Sequence, residues 1–206
     1  MVTTLYLIRH GETEGSEAKR YKGTLDVPLS EKGIKQVGHL SRYILRVVNL
    51  TAVYCSNLSR ALKSAEIIAR PHSLSPVVVP SLRERNFGHW EGMSFDEIKV
   101  KYPQEFADWA GNPMAFSPVN GETTLEVRDR VVDGFEKIIC ARPGENIAIV
   151  AHGGVNRIIL CHILGIPLEN IFRVEQDYGA LNIIEFWDKY PVVKLMNRIM
   201  DGIEEN

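Results

Sequence analysis

Short, nearly unbroken apolar runs recur along this chain, and most lead into a stretch whose apolar residues fall at helical spacing. Residues 4–8, 52–55, 77–79 and 147–150 are too short for helices and lack the polar–apolar alternation of a half-exposed strand. Strands read this way when both faces are covered, as in a parallel sheet flanked by helices. After Pro28-Leu29-Ser30, the positions of Ile34, Val37, Ile44, Leu45 and Val48 predict a helix with those residues on its apolar face. Leu58, Ala61, Leu62, Ala65, Ile68 and Ala69 predict a second helix, stopping before Pro71. Leu125, Val132, Phe135 and Ile139 mark a longer one that ends near Pro143-Gly144, and Val155, Ile158, Ile159 and Ile163 mark another after Gly153-Gly154. Residues 94–116 read as one or two short helices carrying Phe95, Tyr102, Phe106, Trp109 and Phe116. The tail from Phe172 to Met200 reads as strands separated by Gly179 and by Asp188 to Pro191. The expected fold is an α/β, three-layer α/β/α sandwich with a mostly parallel central sheet. With 206 residues and no repeat, low-complexity tract or linker, one domain over 1–206 is expected, with a small helical lid at about 93–120.

Composition narrows the function classes. A net charge of −2 gives no global attraction to nucleic acid or to an anionic membrane, so any anionic substrate must be held by a local cationic pocket. No apolar stretch approaches the roughly 20 residues of a membrane span. Cys55, Cys140 and Cys161 are odd in number, widely spaced and without a Cys-x-x-Cys pair, which suits reduced thiols rather than a disulfide framework. His39, His72, His89 and His162 have no carboxylate or cysteine partners at ligand spacing, so no metal site is expected. The first residues lack the basic region of a signal peptide, and a cytoplasmic location follows as the expectation.

Ligands of such sheets bind beyond the carboxyl ends of the strands. Three of those ends carry suggestive residues: Arg9-His10-Gly11, Ser56-Asn57-Leu58-Ser59-Arg60 and Ala151-His152-Gly153-Gly154. If the strands are neighbours, two arginines and two histidines converge. Guanidinium groups match tetrahedral oxyanions through paired hydrogen bonds, and Gly153-Gly154 opening a helix would present N–H groups to the same anion. A neutral imidazole is a competent nucleophile when one ring nitrogen is free and the other is held, and a carbonyl turned back at Gly11 could hold it. The glycine-bearing stretch Gly11 to Ser16 lacks the Gly-Lys-Ser/Thr ending of a nucleotide P-loop.

Taken in order, these motifs resemble the histidine phosphatase superfamily, which includes the cofactor-dependent phosphoglycerate mutases. The resemblance rests on Arg9-His10-Gly11-Glu12-Thr13, on Gly23 with Asp26 to Gly33, and on Ser56 to Ala61. It continues through Leu82 to Gly88 with Trp90-Glu91-Gly92, Gly121-Glu122-Thr123, and Ala151 to Gly154. It implies a phosphoglycerate mutase-like fold and transfer of a phosphoryl group to His10, with Arg9, Arg60 and His152 binding the phosphoryl oxygens. Glu84 falls at the family's proton donor; its alternative is a solvated charge between Arg83 and Arg85. Lys22 and Gly23 fall where relatives contact substrate, although Lys22 also suits an exposed loop. Ser16 stands where many relatives carry a phosphate-binding asparagine and can donate one hydrogen bond with shorter reach, and Gly153 joins the substrate-binding set. His89 is read mainly as a surface or packing residue.

The resemblance also implies that no cofactor is needed and that the partner is a small-molecule phosphate ester, with a homodimer through residues 172–186 left open. Glu84 and His152 are 68 positions apart and the chain ends soon after Met200, so the lid is small and water should reach the phosphohistidine, favouring hydrolysis over mutase chemistry. Loss of a key residue would have marked a non-catalytic relative, yet Arg9, His10, Arg60, Glu84 and His152 are all present. The central segment from Asn86 to Glu122 looks most like the α-ribazole phosphatases of cobalamin assembly, and a broad-specificity sugar-phosphate phosphatase is the alternative. The lid aromatics could stack on a benzimidazole ring or could simply pin the lid to the body.

Overall fold

The computed structural model describes residues 1–188 and 190–200. Strands β1 (Val2–Arg9), β2 (Ala52–Cys55), β3 (Val77–Val78) and β4 (Asn146–Ala151) are all parallel, and β5 (Leu181–Trp187) and β6 (Tyr190–Arg198) complete the sheet. The spatial order is β3-β2-β4-β1-β5-β6, with β5 antiparallel to both β1 and β6. Successive residues of β1 face opposite sides, as the pleat requires. Tyr6 and Ile8 pack against Val37, Leu40, Ile44, Ala65 and Ile68 of helices α1 (Glu31–Val47) and α2 (Ser59–Ala69). Leu5 and Leu7 pack in the other core with Val131, Phe135, Ile158 and Ile159 of α5 (Thr124–Cys140) and α6 (Gly153–Leu164). The sheet is thus covered on both faces, giving the three expected layers. Among the described residues no helix is long and apolar enough to cross a membrane.

Two expectations are corrected. The buried stripe of α1 is Gly33, Val37, Leu40, Ser41 and Ile44, whereas Ile34 and Leu45 are 45% and 48% exposed. At about 100° per residue these two lie roughly a quarter-turn from the stripe's centre, and Leu40 and Ser41 fill the face instead. In the tail, residues before Gly179 form no strand. Leu168–Arg173 is a 3-10 turn after Pro167, with Ile171 and Val174 buried, and the Val174 carbonyl accepts from Arg157 Nε rather than from a neighbouring strand. Because β5 pairs with β1 on one side and β6 on the other, residues 181–186 lie inside the sheet and cannot offer a dimer edge. The outer strand is β6.

The segment expected as a lid holds two helices, α3 (Phe95–Lys101) and α4 (Pro103–Gly111). Ser94 and Glu97 close a capping box on α3, and Pro103 occupies the first position of α4, where its missing N–H costs nothing.

One backbone contact sets the loop after β1. Ser30 caps α1 by accepting from Gly33 N at 3.1 Å, and its own N–H donates to the Glu12 carbonyl at 2.9 Å. The first turn of α1 thereby rests directly on the Gly11-Glu12 backbone. A Cβ at Gly33 would stand 2.0 Å from the Glu12 oxygen, and one at Gly11 would stand 2.4 Å from the Gly33 oxygen. Only glycines allow this approach. Gly33→Ala should therefore lower stability by about 1–3 kcal/mol through overlap with backbone that cannot yield. Gly38→Ala in the same helix meets nothing within 4 Å and should raise stability by about 0.5–1 kcal/mol. Urea midpoints of the two variants, moving in opposite directions, are the check.

Candidate active site

The parallel pairing of β1 with β4 sets Arg9 opposite Ala151, and His10 N continues the ladder by donating to the Ala151 carbonyl at 3.0 Å. The next residues on the two strands are therefore neighbours, with the His10 and His152 rings 5.1 Å apart between centroids and nearly edge-on. β2 lies on the far side of β4 and leads into α2, whose buried Arg60 reaches back to the same place. Arg9, His10, Lys22, Gly23, Arg60 and Glu84 all line one cavity of about 320 Å³ at the carboxyl ends of the strands.

His10 is 4% exposed, and its Nδ1 lies 2.7 Å from the carbonyl oxygen of Gly11. A carbonyl can only accept, so Nδ1 carries the proton and Nε2 keeps its lone pair. Burial, then the charges of Arg9 and Arg60, push the His10 pKa well below the ordinary histidine value. His152 is fully buried, and burial followed by His10, Arg60 and Arg9 depresses its pKa likewise. Neither of its ring nitrogens has a protein partner among the described residues, which leaves one buried N–H unpartnered beside the His10 ring, although His152 itself does not line the cavity.

The cations are held by backbone. Arg9 Nη1 donates to the Gln176 carbonyl at 2.6 Å, and its guanidinium lies 3.8 Å from the centroid of the Tyr178 ring. Arg60 donates through Nη1 to the Leu25 carbonyl and through Nη2 to the Gly23 carbonyl, at 2.7 and 2.6 Å. Burial lowers the pKa of both guanidinium groups, which start high enough to stay charged. Lys22 Nζ donates to the Glu14 carbonyl at 2.6 Å and to the Thr13 hydroxyl, and burial followed by Arg60 lowers its pKa. Gly23 has φ +49°, and a Cβ there would stand 2.2 Å from Glu91 Oε1, which accepts from Thr24 N. Glu91 thus pins the loop whose carbonyl orients Arg60.

Glu84 arrives on a segment fixed by the fully buried Leu82 and by Arg130 of α5, which donates to the carbonyls of Ser81, Arg83 and Glu84. Its Oε1 accepts from Arg85 N at 2.9 Å and its Oε2 from Gly154 N at 3.1 Å. The start of α6, expected to face an anion directly, instead holds the Glu84 carboxyl group through the Gly154 N–H. Gly153 flanks Arg9, and a Cβ there would lie 3.3 Å from the guanidinium carbon.

Ser16 sits in a 3-10 turn at Ser16–Ala18 and is not part of the cavity wall. Of the five lid aromatics only Trp109 reaches the wall. Phe95, Phe106 and Trp109 pack on one another at 4.9–5.9 Å, Phe116 stacks on Trp90 at 5.2 Å, and Tyr102 meets His89 at 4.4 Å. His89 Nε2 points to Glu105 at 3.1 Å, away from the cavity. Sequence reasoning missed Tyr178, Arg85, Arg157 and Phe172 on the wall and Gln176 behind it. The Asp177-Tyr178-Gly179 turn just before β5 was the available signal, legible only once β5 is known to run antiparallel beside β1.

The chain and its fold have counterparts among known proteins. The chain is 34% identical to a bifunctional protein of Mycobacterium tuberculosis over 95% of itself but only 54% of that protein, so it spans about half of that relative's length. It is 30% identical to phosphoserine phosphatase 1 of Hydrogenobacter thermophilus, covering 94% of this chain and 91% of that one. The crystal structure of the alpha-ribazole phosphatase from Shigella flexneri superposes with a TM-score of 0.88 at 28% identity, covering 98% of this chain and all of that chain, 100%. Residues 5–199 match the histidine phosphatase superfamily (branch 1), and the chain belongs to that family.

Proposed function

We propose that this chain is a phosphomonoester hydrolase that works through a phosphohistidine at His10. The observation that carries the reading is a neutral imidazole, tautomer fixed by the Gly11 carbonyl, enclosed by Arg9, Arg60, Lys22 and His152. Nε2 attacks phosphorus, the bond from phosphorus to the ester oxygen breaks, and Glu84 gives its proton to the departing alcohol. Glu84, now ionised, takes a proton from water as the water oxygen attacks phosphorus and the P–N bond breaks, releasing phosphate and restoring both groups. The cations and the His152 N–H balance charge on the phosphoryl oxygens throughout, a role metal ions fill in other phosphoryl-transfer sites.

For the substrate, we propose α-ribazole 5′-phosphate. Beyond the phosphoryl end the wall is apolar and aromatic, with Phe87, Trp90, Trp109, Met114, Ile158 and Phe172, which suits a flat heterocycle. The Shigella relative bears that name. Phosphoserine suits this wall less well, because its ammonium needs a carboxylate. Glu84 is the single acid among the described lining residues, and backbone N–H groups already hold it. A broad-specificity sugar-phosphate phosphatase is the second reading, favoured by the exposed rim at Phe172, which is 70% exposed. Three free cysteines, two of them buried, fit a reducing cytoplasm.

Hydrolysis of p-nitrophenyl phosphate should proceed unchanged with chelator present and disappear in His10→Ala. Glu84→Gln should lose about 10²–10⁴-fold in kcat/KM on an alkyl phosphate, whose leaving group needs a proton, and much less on the nitrophenyl ester. Equal losses on both would remove Glu84 from the proton-donor role. Comparing kcat/KM for α-ribazole phosphate, phosphoserine, fructose bisphosphate and 3-phosphoglycerate decides substrate; a flat profile favours the broad enzyme.

The depressed histidine pKa values give a pH signature. Imidazole ¹⁵N spectra should show His10 and His152 neutral as pH falls through 6.5, with the His10 proton on Nδ1. The unfolded chain binds those two protons near pH 6.5 while the native state does not, so stability is retained above that pH and falls below it. Urea midpoints measured from pH 7.5 downward read the slope.

A further inference from the structure

Gln176 and Asn182 are both fully buried, yet their neighbours in β5, Leu181 and Ile184, belong to the apolar core. Asparagine is a poor strand former, and buried amides are costly unless fully bonded. Here they are well bonded, to each other and to surrounding groups. Asn182 Nδ2 donates to Gln176 Oε1 at 2.8 Å and to the Leu7 carbonyl at 3.0 Å. Gln176 Nε2 donates to Asn182 Oδ1 at 2.9 Å and to the Glu175 carbonyl at 2.7 Å. Asn182 Oδ1 also accepts from Asn197 N at 2.9 Å, and Asn197 in turn accepts from Asp177 N at 2.7 Å and donates to the Asp177 carboxylate at 2.8 Å. The irregular segment 175–177 is therefore tied on several sides to β1, β5 and β6.

What this segment presents to the site is a carbonyl and a ring. The Gln176 carbonyl takes Arg9 Nη1 at 2.6 Å, and Tyr178 covers the same guanidinium at 3.8 Å while lying 5.6 Å from the His10 ring. The amide pair is anchored on Leu7, opposite Asn182 in the sheet and two residues before Arg9 on the same strand. Strand, amide pair, carbonyl and guanidinium form a closed circuit. A planar fork serves phosphoryl transfer only when its angle is set before substrate arrives.

We propose that the Gln176–Asn182 amide pair is a positioning device for Arg9, holding its guanidinium in the plane that receives the phosphoryl group. The inference rests on the phosphatase reading given above. Neither amide touches substrate; each acts through Arg9.

The test is a double-mutant cycle on the full chain with p-nitrophenyl phosphate, using Asn182→Ala, Arg9→Lys and the pair. Asn182→Ala should cost roughly tenfold or more in kcat/KM in the wild-type background and less than about twofold in Arg9→Lys, where no planar fork remains to be set. Multiplicative losses overturn the proposal, as does a loss that only mirrors the fraction unfolded by urea titration. Gln176→Met keeps side-chain volume and runs the same cycle if Asn182→Ala does not fold. Arginine side-chain ¹⁵N spectra supply a reading independent of turnover: separate Arg9 Nη signals in the wild type should merge in whichever amide variant folds. Unchanged Arg9 signals there also overturn the proposal. Absence of wild-type turnover would instead count against the phosphatase reading, with the Arg9 spectra still testing the positioning.

Discussion

The Nδ1 of His10 lies 2.7 Å from the carbonyl of the very next residue, and this local bond rests on a contact between two distant stretches of backbone. The Gly11 carbonyl faces the ring because the chain turns immediately after β1, and that turn lies against the first turn of α1. Space for it exists only because residues 11 and 33 both lack a Cβ, and the Ser30 cap fixes where that helix begins. The tautomer of one imidazole is thus set by the seating of a 17-residue helix whose opposite end lies far from the chemistry. Whatever shifts α1 shifts the ring nitrogen proposed to react.

Charge is distributed with the same economy. Arg9, Arg60 and Lys22 are bound by carbonyl oxygens and a hydroxyl, which orient a cation without neutralising it. Arginine–carboxylate pairs involve other arginines: Arg20 with Glu97, Arg157 with Glu175, and Arg130 with Glu122 beneath the acid's segment. A carboxylate beside Arg9 would compete with an incoming phosphate and would favour protonation of His10. The one acid admitted, Glu84, is bound by the N–H groups of Arg85 and of Gly154, the latter at a helix start, rather than by a cation. The site therefore keeps net positive charge around a neutral imidazole, as the proposed entry of a dianionic ester requires.

What could be read from sequence follows from where the physics is local. The buried strands β1, β2 and β4 announce themselves because a strand covered on both faces is apolar throughout, and the residues just beyond them stand out by contrast. Arg9, His10, Arg60 and His152 were visible for that reason, and Glu84 only through resemblance. The face of α1 was misplaced because Ile34 and Leu45 are as apolar as the residues that do pack, and periodicity alone does not say where the stripe is centred. Tyr178 and Gln176 were hidden because their position depends on β5 running antiparallel beside β1, a pairing between residues more than 170 apart. Gly154 was expected to serve an anion from solution; that its N–H serves Glu84 instead is a tertiary fact, settled by Arg130 holding the acid's backbone 46 residues away in sequence.

The lid shows why specificity is harder to read than mechanism. Five aromatics in one helical segment invite the idea of a ring-stacking surface, but an aromatic side chain gains as much from a neighbouring ring as from a ligand. Phe95 and Phe106 spend their faces on Trp109, Phe116 on Trp90, and Tyr102 on His89, so the cluster makes a stiff roof rather than a sticky one. Trp109 and Trp90, packed within this cluster, are the two of its rings that line the cavity. In the proposed reaction the leaving group would meet the space between those rings and Phe172, a residue from the far end of the chain. The charged side chains that the proposed reaction needs gather at strand ends; the shape of the cavity beyond them depends on the separation of two elements that never meet in sequence.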